Sequence, residues 1–210
     1  MREESAPADV AIARIAERQH GVVTVAQLHS FGIEKSNVSR RVRNGRLHRV
    51  HRGIYAVGHR LLSREGWWMA AVLACGEGAV LSHAAAAALW GLLRPMSGPV
   101  DVSVPTHGGR GRRRGIRIHR CQTLGGAGAT SSHHAGGSRP VPPVTVRHRI
   151  PVTTIARTLD DLRGAVPPRL LKRARRQAEL AGWRLEGVKP RRTRSELEEE
   201  FLRLCRRHRL

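Results

Sequence analysis

Side chains that can bind nucleic acid are concentrated between residues 34 and 60 of the 210-residue chain, where Lys and Arg far outnumber the single acid, Glu34. Arg and Asn side chains reach base edges and phosphate oxygens. The sequence therefore predicts DNA contacts from two adjacent segments, a helix and a hairpin. The candidate residues are Ser36, Asn37, Arg40 and Arg43 on the helix and Arg46, Arg49 and Arg52 on the hairpin.

Helical periodicity divides residues 35–43 into two faces. At about 100° per residue, Val38 and Val42 lie on one stripe, which is predicted to face the core. Ser36, Asn37, Arg40 and Arg43 fall on the opposite arc. A recognition helix needs this division, because apolar residues anchor it while polar ones reach the DNA. An ordinary solvated helix face has the same pattern and is the alternative.

Two shorter helices are predicted before this one. Asp9 is expected to cap a first helix that ends near Gly21, and Thr24 is expected to cap a second over residues 25–30. The third helix is expected to end at Asn44-Gly45, a pair typical of helix C-termini.

A β-hairpin is predicted directly after the third helix. The β-prone runs RLHRV and IYAV flank His51-Arg52-Gly53, which has the composition of a turn. Three helices followed by a hairpin predict a winged helix-turn-helix domain over residues 1–60.

Residues 61–185 are predicted to form a small mixed α/β domain. Trp67 and Trp68 lie in a helix over 63–74 and are both expected in its core. Further predicted elements are a helix from Ser82, strands over 100–104 and 115–119, one short strand before a helix over 154–162, a helix over 166–180, and a Gly-, Ser- and Pro-rich excursion over 123–143. With a helical tail over 186–210, the predicted fold class is α+β.

The chain carries a formal charge of +22, from 38 Lys or Arg and 16 Asp or Glu residues. This surplus favours a polyanionic partner, and the alternative is a solvated basic surface with unspecific RNA binding. A second basic run is predicted to be a loop that contacts phosphate. Its members are Arg110, Arg112, Arg113 and Arg114.

Composition excludes several classes of protein. No apolar run reaches the roughly 18 residues that a membrane span needs. The three cysteines are far apart and odd in number, which excludes a disulfide framework and fits a reducing compartment. We therefore expect a cytoplasmic, nucleoid-associated protein without a membrane partner; its oligomeric state is not predicted.

No catalytic residue, metal site or cofactor is predicted. His119 and Cys121, together with His133-His134, lack the spacing of a metal site. Ser82-His83 has no evident Asp partner, and the glycine-rich run GGRGRRRG lacks the Lys-Ser/Thr of a phosphate-binding loop. The expectation is a protein that is not an enzyme.

The run AQLHSFGIEKSNVSRRVRNGRLHRVHRGIYAVG resembles the N-terminal winged-helix domain of AbiEi-family antitoxins from type IV toxin–antitoxin systems. VLSHAAAAALWGL and IPVTTIARTLDDL resemble the region that follows in larger proteins carrying that domain. The resemblance implies a DNA-binding transcriptional regulator whose partners are duplex DNA and a cognate toxin. Another interpretation is a protein-interaction module whose middle domain, residues 61–185, binds the toxin.

The C-terminal run TRSELEEEFLRLCRRHRL resembles the opening helix of a Vsr-like restriction-endonuclease-fold domain. Residues 186–210 are therefore expected to be the start of such a domain, cut off before its catalytic residues. Glu196 alone matches a metal-site carboxylate of that family, and a helix N-terminus explains its position as well. The alternative function is thus the N-terminal fragment of a metal-dependent DNA endonuclease.

Overall fold

The computed structural model describes residues 5–105, 111, 113–124 and 143–183. Its helices are α1 (Ser5–Arg18), α2 (Val25–Ser30), α3 (Lys35–Arg43), α4 (Arg64–Cys75), α5 (His83–Leu89), α6 (Ile155–Asp161) and α7 (Pro168–Leu180). Its strands are β1 (Val22–Thr24), β2 (Leu47–His51), β3 (Ile54–Val57), β4 (Val80–Leu81), β5 (Val100–Pro105), β6 (Ile116–Cys121), β7 (Val144–Arg147) and β8 (Ile150–Thr153). This mixture of helices and sheets is compatible with the predicted α+β class.

The first three helices pack around a three-stranded antiparallel sheet in the order β1-β3-β2. Local sequence signals account for the α2 and α3 boundaries, and the predicted bounds of both helices are confirmed. Thr24 Oγ1 accepts a hydrogen bond from the Gln27 backbone N–H (3.1 Å), and the Gln27 side chain accepts one from the Thr24 N–H (2.9 Å). This reciprocal capping box satisfies two helix N–H groups and starts α2 where the sequence predicts.

A second, five-stranded sheet has the order β6-β5-β4-β8-β7. Two of its pairs are parallel, β5 with β6 and β4 with β8, and the other two are antiparallel. Helices α5, α6 and α7 share a core of their own that includes Ala87, Leu159 and Ala174, each 0 % exposed.

Helix α4 packs against both sheets. Four consecutive residues from Met69 to Val72 are buried, so the helix has no solvent-facing side there. A helix that is apolar all round lies between two packed layers. One apolar cluster accordingly joins Val22 and Ile54 of the first sheet to Val102 of the second, across the domain boundary predicted at residue 60.

The prediction that Asp9 caps α1 is wrong. Helix α1 begins at Ser5, and Asp9 lies in its second turn. Pro7 does not prevent this, because the first turn of a helix leaves its N–H groups unpaired and tolerates proline. The Asp9 carboxylate instead binds arginines of α3 and of the segment after it.

The single strand predicted before α6 is in fact two strands, β7 and β8. They are joined by His148 and Arg149, both with positive φ (47° and 63°). Because residues other than Gly are uncommon in this conformation, no local signal marked the turn. Strands β1 and β4, of three and two residues, are too short to show a periodicity and were not predicted.

Trp68 is buried as predicted, but Trp67 is 46 % exposed. Adjacent helical residues point about 100° apart, so the two indoles take different directions. The prediction that both are core residues is therefore wrong for Trp67. Residues 125–142 and 186–210, for which the sequence makes predictions, lie outside the described residues.

We expect Gly66→Ala to destabilise the protein. A Cβ at position 66 would lie 2.8 Å from the His20 carbonyl oxygen, a backbone atom that cannot move away cheaply. Overpacking of about 1–3 kcal/mol then outweighs the roughly 1 kcal/mol by which Ala is favoured over Gly in a helix. Urea unfolding measures the difference. Gly111→Ala is the control, because no atom of the described residues lies within 4 Å of the added Cβ. Equal stabilities of the two variants would contradict the close approach of α4.

Candidate nucleic-acid interface

Helix α3 keeps its apolar stripe inward and its polar stripe outward. Val38 is buried in the core of the first three helices, and Val42 packs against it. Ser36, Arg40 and Arg43 are exposed, and Asn37 is half-buried. The structure thus brings all four predicted side chains to one outward face. No salt bridge joins Arg40 or Arg43 to a carboxylate within the described ranges.

The neighbouring Arg41 has a structural role. It is buried, and its Nε and Nη2 donate to Asp9 Oδ1 at 3.2 and 2.8 Å. Arg46 Nη1 donates to the second oxygen of the same carboxylate at 3.0 Å. Asp9 therefore joins α1 to α3 and to the start of the hairpin. Arg46, a predicted DNA contact, is exposed but shares this carboxylate.

We expect Asp9→Ala to cost about 1–3 kcal/mol of unfolding free energy, because the buried Arg41 guanidinium loses this carboxylate. Arg46→Ala is the matched control: it removes the exposed partner of the same carboxylate and should cost about 0–1 kcal/mol. Denaturant unfolding compares the two variants. Similar losses of unfolding free energy for the two variants would show that the burial of Arg41 does not determine the cost of losing the ion pair.

The β2–β3 hairpin follows α3 directly. Its strands pair from Leu47 opposite Val57 to His51 opposite Ile54, with an irregularity in register between Arg49 and His51. Gly53, with φ of 78°, allows the tight turn. The hairpin predicted from the sequence is confirmed, and it leaves Arg49 of β2 and Arg52 of the turn exposed.

The hairpin and the segment before β6 together form a basic cleft of about 860 Å³, here called the hairpin cleft. Arg49, His51 and Arg52 line one side, and Arg113 and Arg114 line the other. No acidic residue is found among the described residues of its lining. Two of the four predicted loop arginines are thus beside the hairpin; Arg110 and Arg112 lie outside the described residues.

Arg113 is the innermost cation of the hairpin cleft. Its Nε is buried and has no hydrogen-bond partner within the described part of the chain. Burial lowers the pKa of His51, and the nearby Arg113 charge lowers it further. Burial raises the pKa of the Cys75 thiol, an effect that Arg113 opposes. An unpartnered guanidinium N–H beside a neutral imidazole favours an anionic ligand such as phosphate.

We expect His51 to make the stability of the protein depend on pH. Its pKa is lower in the folded state than in the unfolded chain, so the unfolded chain binds the proton more readily. Stability is therefore lost as the pH falls below about 6.5, the ordinary histidine value. His51→Gln should retain more of its pH 7.5 stability at pH 5.5 than the parent does, as measured by thermal unfolding. The control is His59→Gln at an exposed position; an identical profile for both variants would contradict the assignment to His51.

The structure places an acidic residue, Asp101, near Ser82-His83 and joins it to them through His119. His83 Nδ1 is hydrogen-bonded to Ser82 Oγ (3.0 Å), and the His83 ring stacks on His119 at 3.7 Å between centroids. His119 Nε2 donates to Asp101 Oδ1 at 2.9 Å. Asp101 was missed because it comes from a separate strand, β5, and no spacing along the chain connects it to Ser82-His83.

Other candidates from the sequence are accounted for by ion pairs or fall outside the structure. Asp161 accepts from Arg157 at 2.7 Å, and Asp160 pairs with Arg163 at 3.3 Å. His133 and His134 are not among the described residues. Within the described ranges, no group of three or more His, Cys, Asp or Glu side chains could hold a metal ion. No described helix is long and apolar enough to span a membrane.

Residues 10–58 match a family model of transcriptional regulators. The family is described as "Transcriptional regulator, AbiEi antitoxin". The match extends from α1 to the end of the hairpin, so it includes the exposed face of α3 and the predicted hairpin arginines. The AbiEi-like resemblance is thereby confirmed for this part of the chain. A comparison with curated proteins found no match, and the Vsr-like resemblance of the C-terminal residues stays a prediction.

Proposed function

We propose that the protein is an AbiEi-like transcriptional regulator that binds duplex DNA through a winged helix-turn-helix formed by α1 to β3. The proposal is supported by two findings that fall on the same segment of the chain. The segment matched by an antitoxin regulator family is also the segment that exposes Arg40, Arg43, Arg49 and Arg52 with no carboxylate paired to them among the described residues.

In this proposal, α3 enters the major groove, which has the width of an α-helix. Arg40 and Arg43 then reach base edges or the flanking phosphates, and Ser36 and Asn37 add hydrogen bonds from the start of the helix. The packing of Val38 and Val42 supports the helix from behind. Because Arg40 lies mid-way along the exposed stripe, it is the residue we expect to read sequence.

The hairpin acts as the wing and binds the DNA backbone. Arg49 and Arg52 project from it, and the hairpin cleft places Arg113 and Arg114 opposite them. A phosphate in this cleft would meet guanidinium groups from both sides and supply a partner for the Arg113 Nε. These contacts do not discriminate between sequences, so they supply affinity while α3 supplies specificity.

The family description names an antitoxin as well as a regulator. An antitoxin counteracts a toxin, and we propose a toxin as the second partner of this chain. The match supports this class of partner without indicating its contact surface. The proposal includes no hydrolytic step: DNA binding by α3 and the wing requires neither a metal ion nor a cofactor.

The test separates sequence reading from backbone binding. A preferred duplex is first obtained by selection from random DNA, and affinity is then measured on it and on random duplex. Arg40→Ala should lose about 10- to 100-fold on the preferred site, equivalent to about 1–3 kcal/mol, and less on random DNA. Arg52→Ala should weaken binding to both by the same factor. With about six phosphate contacts, the logarithm of the parent's affinity should fall with log[salt] at a slope of about −5.

Arg173→Ala is the matched control, because Arg173 is an exposed arginine of α7 outside the proposed interface. It should leave both affinities unchanged. Equal losses from Arg40→Ala on preferred and random DNA would show that α3 does not read sequence. A salt-independent affinity would overturn the proposed electrostatic interface altogether.

A further inference from the structure

A second cavity, of about 610 Å³, lies away from the hairpin cleft, between the start of α4, the first half of α5 and the loop before β5. Its size falls within the roughly 300–1,000 Å³ of small-molecule sites, which are concave and mostly apolar with few polar groups. We call it the α4–α5 pocket. DNA binding by α3 and the wing makes no use of it.

One wall of the α4–α5 pocket exposes large apolar side chains. Trp67 and Met96 both line it and are 46 % and 55 % exposed, whereas the neighbouring Trp68 is buried. Exposed apolar surface costs about 25 cal/mol per Å² relative to burial. Indole and thioether groups that meet in a concave site form a surface on which a flat aromatic ring packs well.

The charge of the pocket lining is positive. Its only carboxylate among the described lining residues, Asp101, is buried and already engaged by His119 (2.9 Å) and by Arg117 Nη1 (3.4 Å). The Arg117 side chain is 58 % exposed despite this contact, and Arg64 adds a second exposed cation. Two exposed guanidinium groups therefore line an apolar pocket whose carboxylate is already paired within the fold.

His83, which lines the pocket, is held in place by two neighbouring residues. His83 has a φ of 50°, a left-handed conformation that is strained for a non-glycine residue. It is held there by its stack on His119 and its hydrogen bond to Ser82. Burial lowers the pKa of His83, and the neighbouring His119 lowers it further, so the ring facing the pocket is neutral at pH 7. Strained backbone and perturbed ionisation in a concave site are typical of binding sites.

We propose that the α4–α5 pocket binds a small aromatic anion, with its ring against Trp67 and Met96 and its carboxylate or phosphate group against Arg117 and Arg64. The apolar wall accounts for the ring, and the paired state of Asp101 accounts for the preference for an anion over a cation. This site is independent of the proposed DNA interface, so either proposal can fail without the other.

The experiment compares two anions with their neutral parents by isothermal titration calorimetry on the full chain. Adenosine monophosphate is compared with adenosine, and indole-3-acetate with indole, so that the two arms distinguish a phosphate from a carboxylate ligand. At least one anion should bind with one-to-one stoichiometry and about tenfold more tightly than its neutral parent, as expected for a charge-assisted hydrogen bond.

Variants locate the binding. Arg117→Ala should lower the affinity for the anion towards that of its neutral parent, with Arg64 retaining part of the difference, and Trp67→Ala should weaken the binding of both the anion and its neutral parent. Trp183→Ala is the matched control, because Trp183 is similarly exposed at 44 % and does not line the pocket. Ala84→Trp fills the pocket from α5 without removing any charge. If Arg117→Ala fails to fold, Ala84→Trp still tests whether the anion binds in the pocket.

Two results would overturn the proposal. The first is that neither anion binds more tightly than its neutral parent. The second is that anion binding persists in both Trp67→Ala and Ala84→Trp, which would place the anion elsewhere, with the hairpin cleft as the obvious location on a chain of charge +22.

Discussion

The position of α4 between the two sheets is the constraint on which the rest of the structure depends. Its buried run from Met69 to Val72 contributes to a single apolar cluster with residues of both sheets. Gly66 allows its first turn to approach the His20 carbonyl oxygen, and His20 Nε2 in turn donates to the carbonyl oxygen of His148 at 2.6 Å. Because α4 holds the two sheets together, the β2–β3 hairpin of the first sheet lies beside Arg113. Arg113 comes shortly before β6, an edge strand of the second sheet.

The arginines of α3 have two different roles in the candidate interface. Arg41 is turned inward and neutralised by Asp9, whereas Arg40 and Arg43 face outward. The buried pair orients the helix, and the outward pair provides the charge that the proposed interface presents to DNA. The chain has 16 acids to balance 38 cations, so most of its positive charge is not neutralised by a carboxylate charge. The hairpin cleft concentrates this surplus where two distant segments meet.

The region around the second sheet contains side-chain contacts that the proposed DNA interface does not use. Asp101, His119 and His83 form a continuous series of contacts from strand β5 to helix α5. The series engages the Asp101 carboxylate within the fold, beside an apolar pocket lined by two exposed arginines. Under the two proposals above, the DNA interface and the α4–α5 pocket are two separate sites, which is what control by a small molecule requires.

The sequence by itself determined the elements whose signals are local. The capping box at Thr24, the bounds of α3 with Val38 inward and Arg40 outward, and the hairpin closed by Gly53 all depend on residues within a few positions of one another. Helical periodicity, capping and turn conformation act over that range, so they can be read without a fold.

Only the tertiary structure decided which distant residues meet. It paired Asp9 with Arg41, placed Arg113 opposite the hairpin, joined Asp101 to His119 and left Trp67 exposed beside a buried Trp68. Each outcome depends on packing between segments that are far apart in sequence. Composition and periodicity carry no record of such contacts, because the free energy that selects them comes from burying the whole core at once.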